Sequence, residues 1–439
     1  MAPAPNFNSR NTAVDMVERY WMALCRDIRF EQYESSPLIA AACEDLNRLD
    51  FEREFGFICT LQKIFRAPYL GAQEGPHVSQ FLLQDFLFGN QPICQLQRYP
   101  RESLNYLTDL DSWLLVNSGQ SDPTGSDVFE GDRYILTLRD AGQWVHVDFP
   151  FQSGLWATIN LLEKGTTNTL ASPYVNGLIS TSNAFGSLGG PDIAFHTGLA
   201  VVYALKHAWF QKWCVHRRLR PEAYAQRLEL FGRGALGSFA SDPLNDARFN
   251  EVLGEGADVW RNTQVLDLIF QHNRAQNIAQ NRSDQEGTWL LPIAYPEGSP
   301  THPAYPGGHA TFIAAAATMA KAFFADGDFP FPVVPSEDGQ ALSDYSGPSL
   351  SIHGELNKLI SNITLFRDGA GMHWRTDGTA AGSLASTGSL ASGLVTGGNA
   401  LGEKLAISLL RDLQRTYREQ LGAFEFSALD GSLQSVQSE

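Results

Sequence analysis

Apolar residues return at the three-to-four-residue spacing of a buried helix face in segment after segment of this chain, and that periodicity constrains its fold more than any other feature. Between residues 12 and 49 they are Val14, Met16, Val17, Tyr20 and Trp21, then Leu38, Ile39, Ala42 and Leu46, which predicts two helices joined by a loop. Further helices are predicted over residues 52–65, over 78–88 between Gly75-Pro76 and Gly89-Asn90, and over 103–116. Beyond Pro150 the helical patterns cover 153–163, 192–218, 221–230, 257–280, 310–325, 354–367 and 403–421. One stretch differs: Tyr134 to Leu138 and Trp144 to Phe149 flank Asp140-Ala141-Gly142, the pattern of a β-hairpin. The predicted class is mainly α, a helical bundle with one short β-hairpin. Residues 1–150 form an N-terminal helical region with the hairpin near 133–149, residues 151–427 a second helical region, and 428–439 a frayed polar tail, all in one structural unit. Residues 378–402, with GSLAS at 382–386 and again at 388–392, suit a close helix contact or a loop, and the loop is the expectation.

Composition removes several function classes. The 439 residues are 43% hydrophobic, enough for one large core or two coupled ones and incompatible with disorder. Asp and Glu outnumber Lys and Arg by 48 to 32, a formal charge of −16, so no general attraction to nucleic acid or an anionic membrane is expected. No apolar run is long enough to span a bilayer, and the N-terminus lacks the basic start and apolar core of a secretory leader, so a cytoplasmic address is the default expectation. Five scattered cysteines without CxxC spacing read as buried free thiols. In so acidic a chain any basic cluster needs a local explanation.

Three such places exist. Lys212, His216 and Arg220 stand four residues apart in KWCVHRRLRP, so on a continuous helix they would share one stripe and reach one anion, although a solvated basic face reads equally well. HPAYPGGH, residues 302–309, runs directly into ATFIAAAATMAKAFF, which puts Gly307 and Gly308 at a helix N-terminus whose free N–H groups favour an oxyanion; a plain loop cap is the bland reading. In FRDGAGMHWRTD, Arg367 and His373 lie six residues apart, and Asp377 is placed to hold the imidazole in one tautomer. Together they supply three cations, two glycine N–H groups and two histidines, an inventory that fits one tightly held tetrahedral anion.

The order Lys212…Arg220-Pro221, Pro306-Gly307-Gly308-His309, Arg367…His373…Asp377 resembles the tripartite signature shared by vanadium-dependent haloperoxidases and type 2 acid phosphatases. The intervening text, VSQFLLQDFLFG at 78–89, KWCVHRRLRPEAY at 212–224 and LLPIAYPEGSPTHPAYPGGHAT at 290–311, is similar to the algal and cyanobacterial vanadium bromoperoxidases, and the likeness runs from about residue 10 to about residue 420. It implies a helical-bundle haloperoxidase architecture with vanadate as cofactor. It also implies His373 as the vanadium ligand, with Lys212, Arg220, Arg367 and the Gly308 N–H on the equatorial oxygens. His309 would serve as acid/base, and Lys212 counts with the catalytic residues. His302 matches a histidine of bromoperoxidases where chloroperoxidases carry an aromatic, which points to bromide or iodide; its protonated form is expected to attract halide. The implied reaction oxidises halide with hydrogen peroxide to hypohalous acid, which halogenates a small organic nucleophile, and the implied assembly is a homo-oligomer. Three departures stand out. Gly307 replaces the usual Ser, part of the first helix bundle of the longer algal members is expected to be absent, and the 378–402 stretch is longer than the family's helix after the metal histidine.

Two other readings compete. An acid phosphatase would hold phosphate in the same pocket with His373 as nucleophile, but the long interval between Pro221 and Pro306 suits the peroxidases better. A catalytically silent helical scaffold fits the Ala-rich helices and acidic charge but leaves three convergent cationic motifs unexplained.

Overall fold

The computed structural model describes residues 1–439 apart from 123–124, 233–246, 283, 380–394, 418–419 and 438–439. Its helices are α1 (Arg10–Leu24), α2 (Pro37–Arg48), α3 (Phe51–Phe55), α4 (Leu110–Asn117), α5 (Leu138–Trp144), α6 (Gln152–Glu163), α7 (Gly190–Phe210), α8 (Pro221–Gly232), α9 (Ala247–Leu253), α10 (Ala257–Asn262), α11 (Val265–Ala279), α12 (Gly308–Phe323), α13 (Ile352–Gly369), α14 (Arg375–Gly378) and α15 (Gly397–Thr416). The strands form antiparallel two-stranded pairs: β1 (Phe86–Phe88) with β2 (Gln91–Ile93), β3 (Gln97–Pro100) with β4 (Phe129–Arg133), β5 (Val333–Pro335) with β6 (Leu342–Asp344), and β7 (Phe424–Ser427) with β8 (Leu433–Val436). The class is mainly α, as the periodicity predicts. No helix of the described residues is long and apolar enough to cross a membrane.

Helix α12 lies at the centre, buried from Ala310 to Phe323 and packed against α6, α7, α13 and α15. Its run of alanines keeps the backbone thin, and α15 meets it with glycine. A Cβ on Gly402 would fall 2.1 Å from the Thr311 carbonyl oxygen, and one on Gly398 would fall 2.7 Å from that of Gly307. Residues 397–402 are therefore helical and in close contact, where the sequence reading favoured a loop. Both GSLAS copies lie outside the described residues.

The hairpin expected near 133–149 does not form. Thr137 caps α5 instead, its hydroxyl accepting from the Asp140 N–H at 3.1 Å while the Asp140 carboxylate accepts from the N–H groups of Leu136 and Thr137. This capping box turns the supposed turn residues into a helix, and β4 pairs with β3 instead. Other elements shorten for equally local reasons. The 52–65 helix stops at Gly56, whose φ of 85° ends α3. In 78–88 only Gln80–Leu82 coil, because the N–H groups of Ser79 and Gln80 are taken by Asn362 and Glu355 of α13. The 103–116 helix starts late, at the Asp109 cap of α4. The 257–280 helix breaks where Thr263 and Gln264 bond to Asp45. The tail is packed: Phe424, Phe426, Leu429 and Val436 are buried, and the Lys321 ammonium donates to the Ser427 carbonyl at 2.9 Å.

Helix α1 is buried on nearly every side, and its polar residues hold the segment that follows α13. Asp15 accepts from the Arg375 and Thr376 N–H groups at 2.9 and 3.2 Å, capping α14 from outside. Glu18 receives the Arg375 guanidinium at 2.8 Å through Nε, and Arg19 is ion-paired with Glu18 and Asp368. Burial pushes the Glu18 carboxyl up, but Arg375 and Arg19 outweigh it and hold it below its ordinary value of 4.5.

Two stability outcomes follow. Gly402→Ala should destabilise the protein by roughly 1–3 kcal/mol or more, although alanine is the better helix former, because the methyl meets backbone rather than a flexible side chain; the urea midpoint measures this. Glu18→Gln leaves Arg375 charged and buried without its carboxylate and should cost about 3 kcal/mol or more, whereas Asp258→Asn on the solvated Arg261 pair should cost less than about 0.5 kcal/mol. Since the folded pKa of Glu18 is depressed, its contribution is complete above about pH 4.5 and fades as the pH falls through the folded value, and the Gln variant should lose that part of the acid dependence.

Candidate functional site

Helix α7 does not run on to Arg218. After Phe210 it widens into one π-helical turn, Gln211–His216, and stops at Arg217 with a left-handed φ of 49°. The three basic residues therefore do not share a stripe. Lys212 turns inward and its ammonium donates to the carbonyls of Pro303 and Ala304 at 2.6 and 2.9 Å, while His216 packs against the Tyr305 ring, outside the cluster. Arg220 arrives from the other side, just before α8. Its guanidinium donates to the Met372 carbonyl at 2.8 Å, to His373 Nε2 at 2.9 Å and to His302 at both its carbonyl (3.0 Å) and Nδ1 (3.1 Å). Arg367 is carried by the last turn of α13 and donates to the Val145 carbonyl at 2.9 Å; its Nε is buried with no partner.

His373 sits in the turn between α13 and α14. The Asp377 carboxylate lies 2.8 Å from Nδ1, which assigns the proton to that nitrogen and leaves the Nε2 lone pair facing Arg220. Asp377 is itself fixed by the Trp374 N–H and by Arg218 at 2.8 Å, and its own carbonyl accepts from the Gly307 N–H at 2.8 Å. One residue thus ties the histidine to the glycine turn. Burial, then Arg220, Lys212 and Arg367, push His373 well below the usual imidazole range, so it is a neutral donor.

Gly307 and Gly308 open α12 as expected, and no side chain caps the first turn. A Cβ on Gly308 would meet nothing within 4 Å, so open space adjoins its N–H, whereas the Gly307 N–H, expected to serve an anion as well, is taken by the Asp377 carbonyl. Gly307 has an ordinary φ of −59°, and its glycine is not demanded by backbone strain. His309 points at a residue the sequence reading passed over: its Nε2 lies 2.9 Å from Asp148 Oδ1, while Asp148 Oδ2 is buried without a partner. The alternation Val145-His146-Val147-Asp148 looked like a strand and hid a carboxylate aimed at the site. Burial pushes His309 below its ordinary value despite Asp148.

His302 lies edge-on to Trp209, ring centroids 5.1 Å apart. Burial and the cations Lys212 and Arg220 push it down to about 3, and Arg220 donates to its Nδ1. Burial and these cations therefore disfavour the protonated imidazole on which the expected halide attraction rests.

The structure therefore brings Lys212, Arg220, His302, Arg367 and His373 into one electrostatic cluster, sets His309 within the field of Lys212 and Arg367, ties the Gly307-Gly308 turn to it through Asp377, and adds Asp148, Arg218 and Trp209. Three cations held by carbonyls, a neutral imidazole whose Nε2 meets Arg220 and a helix terminus without a side-chain cap suit an oxyanion better than a bare metal cation.

A family model described as the VCPO second helical-bundle domain matches residues 257–395. A vanadium-dependent bromoperoxidase of Ascophyllum nodosum is 31% identical over 446 residues, spanning 98% of this chain and 72% of that protein. One from Corallina pilulifera is 29% identical over 480 residues, spanning 98% and 75%. The homohexameric structure of a second vanadate-dependent bromoperoxidase from Ascophyllum nodosum superimposes with a TM-score of 0.83 at 25% identity, covering all of this chain and 73% of that one. With likeness in sequence and fold running through almost every residue, and the tripartite motif converging on one cationic pocket, the chain belongs to the vanadium-dependent haloperoxidases.

Proposed function

We propose that this enzyme holds vanadate in the pocket and uses hydrogen peroxide to oxidise bromide or iodide to hypohalous acid, which halogenates a small organic nucleophile. The observation that carries the reading is the line Arg220, His373, Asp377: a neutral imidazole presenting Nε2 among three buried cations, its other nitrogen fixed by a carboxylate. The residues fit an oxyanion. Arg367 Nε has no partner, Gly308 borders open space, and Lys212 and Arg220 bond only to carbonyls and imidazoles, so their charge is not neutralised by direct pairing. His373 would ligate the vanadium, and Lys212, Arg220, Arg367 and the Gly308 N–H would offset the charge on its oxygens. When bound, vanadium(V) supplies Lewis-acid activation of peroxide toward halide without a change of oxidation state.

The chain's own residues then have separable tasks. Lys212, Arg220 and Arg367 bind and orient the anion. His309 holds or takes up a proton at the nitrogen not engaged by Asp148, and Asp148 fixes its ring. His302, buttressed by Trp209 and Arg220, shapes the halide approach. The bromoperoxidase relatives favour this reading over ester hydrolysis by the same pocket. Homo-oligomerisation is supported by the homohexameric relative and by the exposed Phe195, Trp209, Phe210 and Trp213.

His373→Ala should abolish bromide peroxidase activity and vanadium retention together, and Asp377→Asn should weaken vanadate about 10- to 100-fold by freeing the ring. Metal analysis beside a bromide-dependent assay with a phenol dye, with and without added orthovanadate, checks both; full vanadium occupancy in His373→Ala would overturn the ligand assignment.

Gly307→Ser should tighten vanadate by about tenfold by adding one hydroxyl contact to a charged group. The backbone permits it, and the new Cβ meets Ala310 Cβ at 3.3 Å and the Asp377 carbonyl oxygen at 3.4 Å, which needs a shift of a few tenths of an ångström. Reconstitution of the apoenzyme with orthovanadate measures the change; weaker binding would mean that crowding against Ala310 outweighs the new contact.

A further inference from the structure

A second cavity, about 880 Å³, shares none of the residues of the vanadate pocket. Its walls come from the loop after α1, from residues 61–78, from β5 and from the segment entering α13, and they are largely apolar, with Phe30, Leu83, Ile135, Tyr345 and Leu350 among them. That volume is typical of a site for an organic ligand.

Four polar atoms of the lining residues are buried without a hydrogen-bond partner: Tyr33 Oη, Arg66 Nε, Gln73 Nε2 and His77 Nε2. Tyr33 and Arg66 are each 3% exposed. The Arg66 guanidinium is anchored through its other nitrogens to the carbonyls of Gln62, Gly75 and Pro76, which fixes its plane but neutralises nothing. Among the described residues no carboxylate lies within ion-pairing distance of it; Glu355, the acid whose charge reaches it, is already paired with Lys358, so the guanidinium has no direct counter-ion in the cavity. His77, stacked on Phe30 at 4.1 Å and depressed by burial and by Arg66, is neutral. Tyrosine O–H, guanidinium N–H and amide N–H are all donors, so the missing partner is an acceptor with negative charge. Exposed Glu31, Glu34 and Glu74 at the rim disfavour multiply charged anions.

We propose that this cavity binds a monoanionic carboxylate on an aromatic or aliphatic body, the carboxylate meeting Arg66, Tyr33 and Gln73 and the body lying against Phe30, Tyr345 and Leu350. The site stands whether or not the vanadate assignment does, because it uses none of those residues.

The test titrates 2-naphthoate into the vanadate-loaded enzyme, followed by calorimetry and naphthoate fluorescence. Saturable one-to-one binding is expected, with 2-naphthamide and inorganic phosphate at least about tenfold weaker. Tyr33→Phe and Gln73→Leu should each weaken naphthoate by about tenfold while bromide oxidation and vanadium content stay unchanged. Arg66→Gln should remove binding; because Arg66 also braces a loop, the Tyr33 and Gln73 variants carry the decision if that protein fails to fold. Absence of saturable binding, equal affinity for the amide, indifference to both variants, or a naphthoate signal that disappears on loading with orthovanadate would each overturn the proposal.

Discussion

Lys212 and Arg220 are almost fully removed from water beside one another, and such a pair is costly to bury unless every N–H finds an acceptor. The protein satisfies them with main-chain carbonyls, those of Pro303 and Ala304 for the lysine and of His302 and Met372 for the arginine. Carbonyls complete hydrogen bonds without cancelling charge. The strain appears in the groups themselves, since burial and the Arg220 charge push Lys212 well below its ordinary value, and burial and the Arg367 charge push Arg220 down to about 10. An anion entering the pocket relieves that repulsion, so the cost of folding the empty site becomes affinity for its occupant.

Holding those carbonyls in place falls largely to Asp377. Its side chain fixes His373 and Arg218, its carbonyl takes the Gly307 N–H, and the Arg218 carbonyl accepts from the Ala304 N–H. The three motifs, far apart in sequence, are thereby joined through one residue and its neighbour. Behind Asp377 stand Asp15 and Glu18 of α1, which cap α14 and hold Arg375. A displaced α1 would reach the site through the short turn that carries His373, so the N-terminal helix belongs to the catalytic architecture although it lends no side chain to the pocket.

What could be read from sequence and what could not follows from the range of each interaction. Helices with a sustained apolar spacing or a strong helix-forming composition, such as α1, α6, α12 and α13, were legible because periodicity and propensity point the same way. The 133–149 hairpin misled because strand-like alternation says nothing of a capping box, and the Asp140 carboxylate decides between them. The cations, the histidines and the glycine turn were legible as a set because their residue types have few other uses together. Their route into the pocket was not, since the π-helical turn at Gln211–His216 shifts the helical phase and sends His216 away. Asp148 and the α1 acids carry no local signal; only the tertiary fold brings them within reach of His309 and Arg375.

The small residues of α12 and α15 complete the logic. Helix α12 starts at the half-buried Gly308 and His309 and runs fully buried from Ala310, so its N-terminus opens beside the cations while its body crosses the core. A helix so placed must accept neighbours along its whole length, and bulky side chains would hold α7, α13 and α15 apart. Alanine along α12 and glycine at positions 398 and 402 let the axes close up, down to a distance at which a single methyl on Gly402 collides with the Thr311 carbonyl. That contact begins one turn beyond Gly307 and Gly308, so the same close packing that buries the helix also fixes the direction in which its uncapped terminus points.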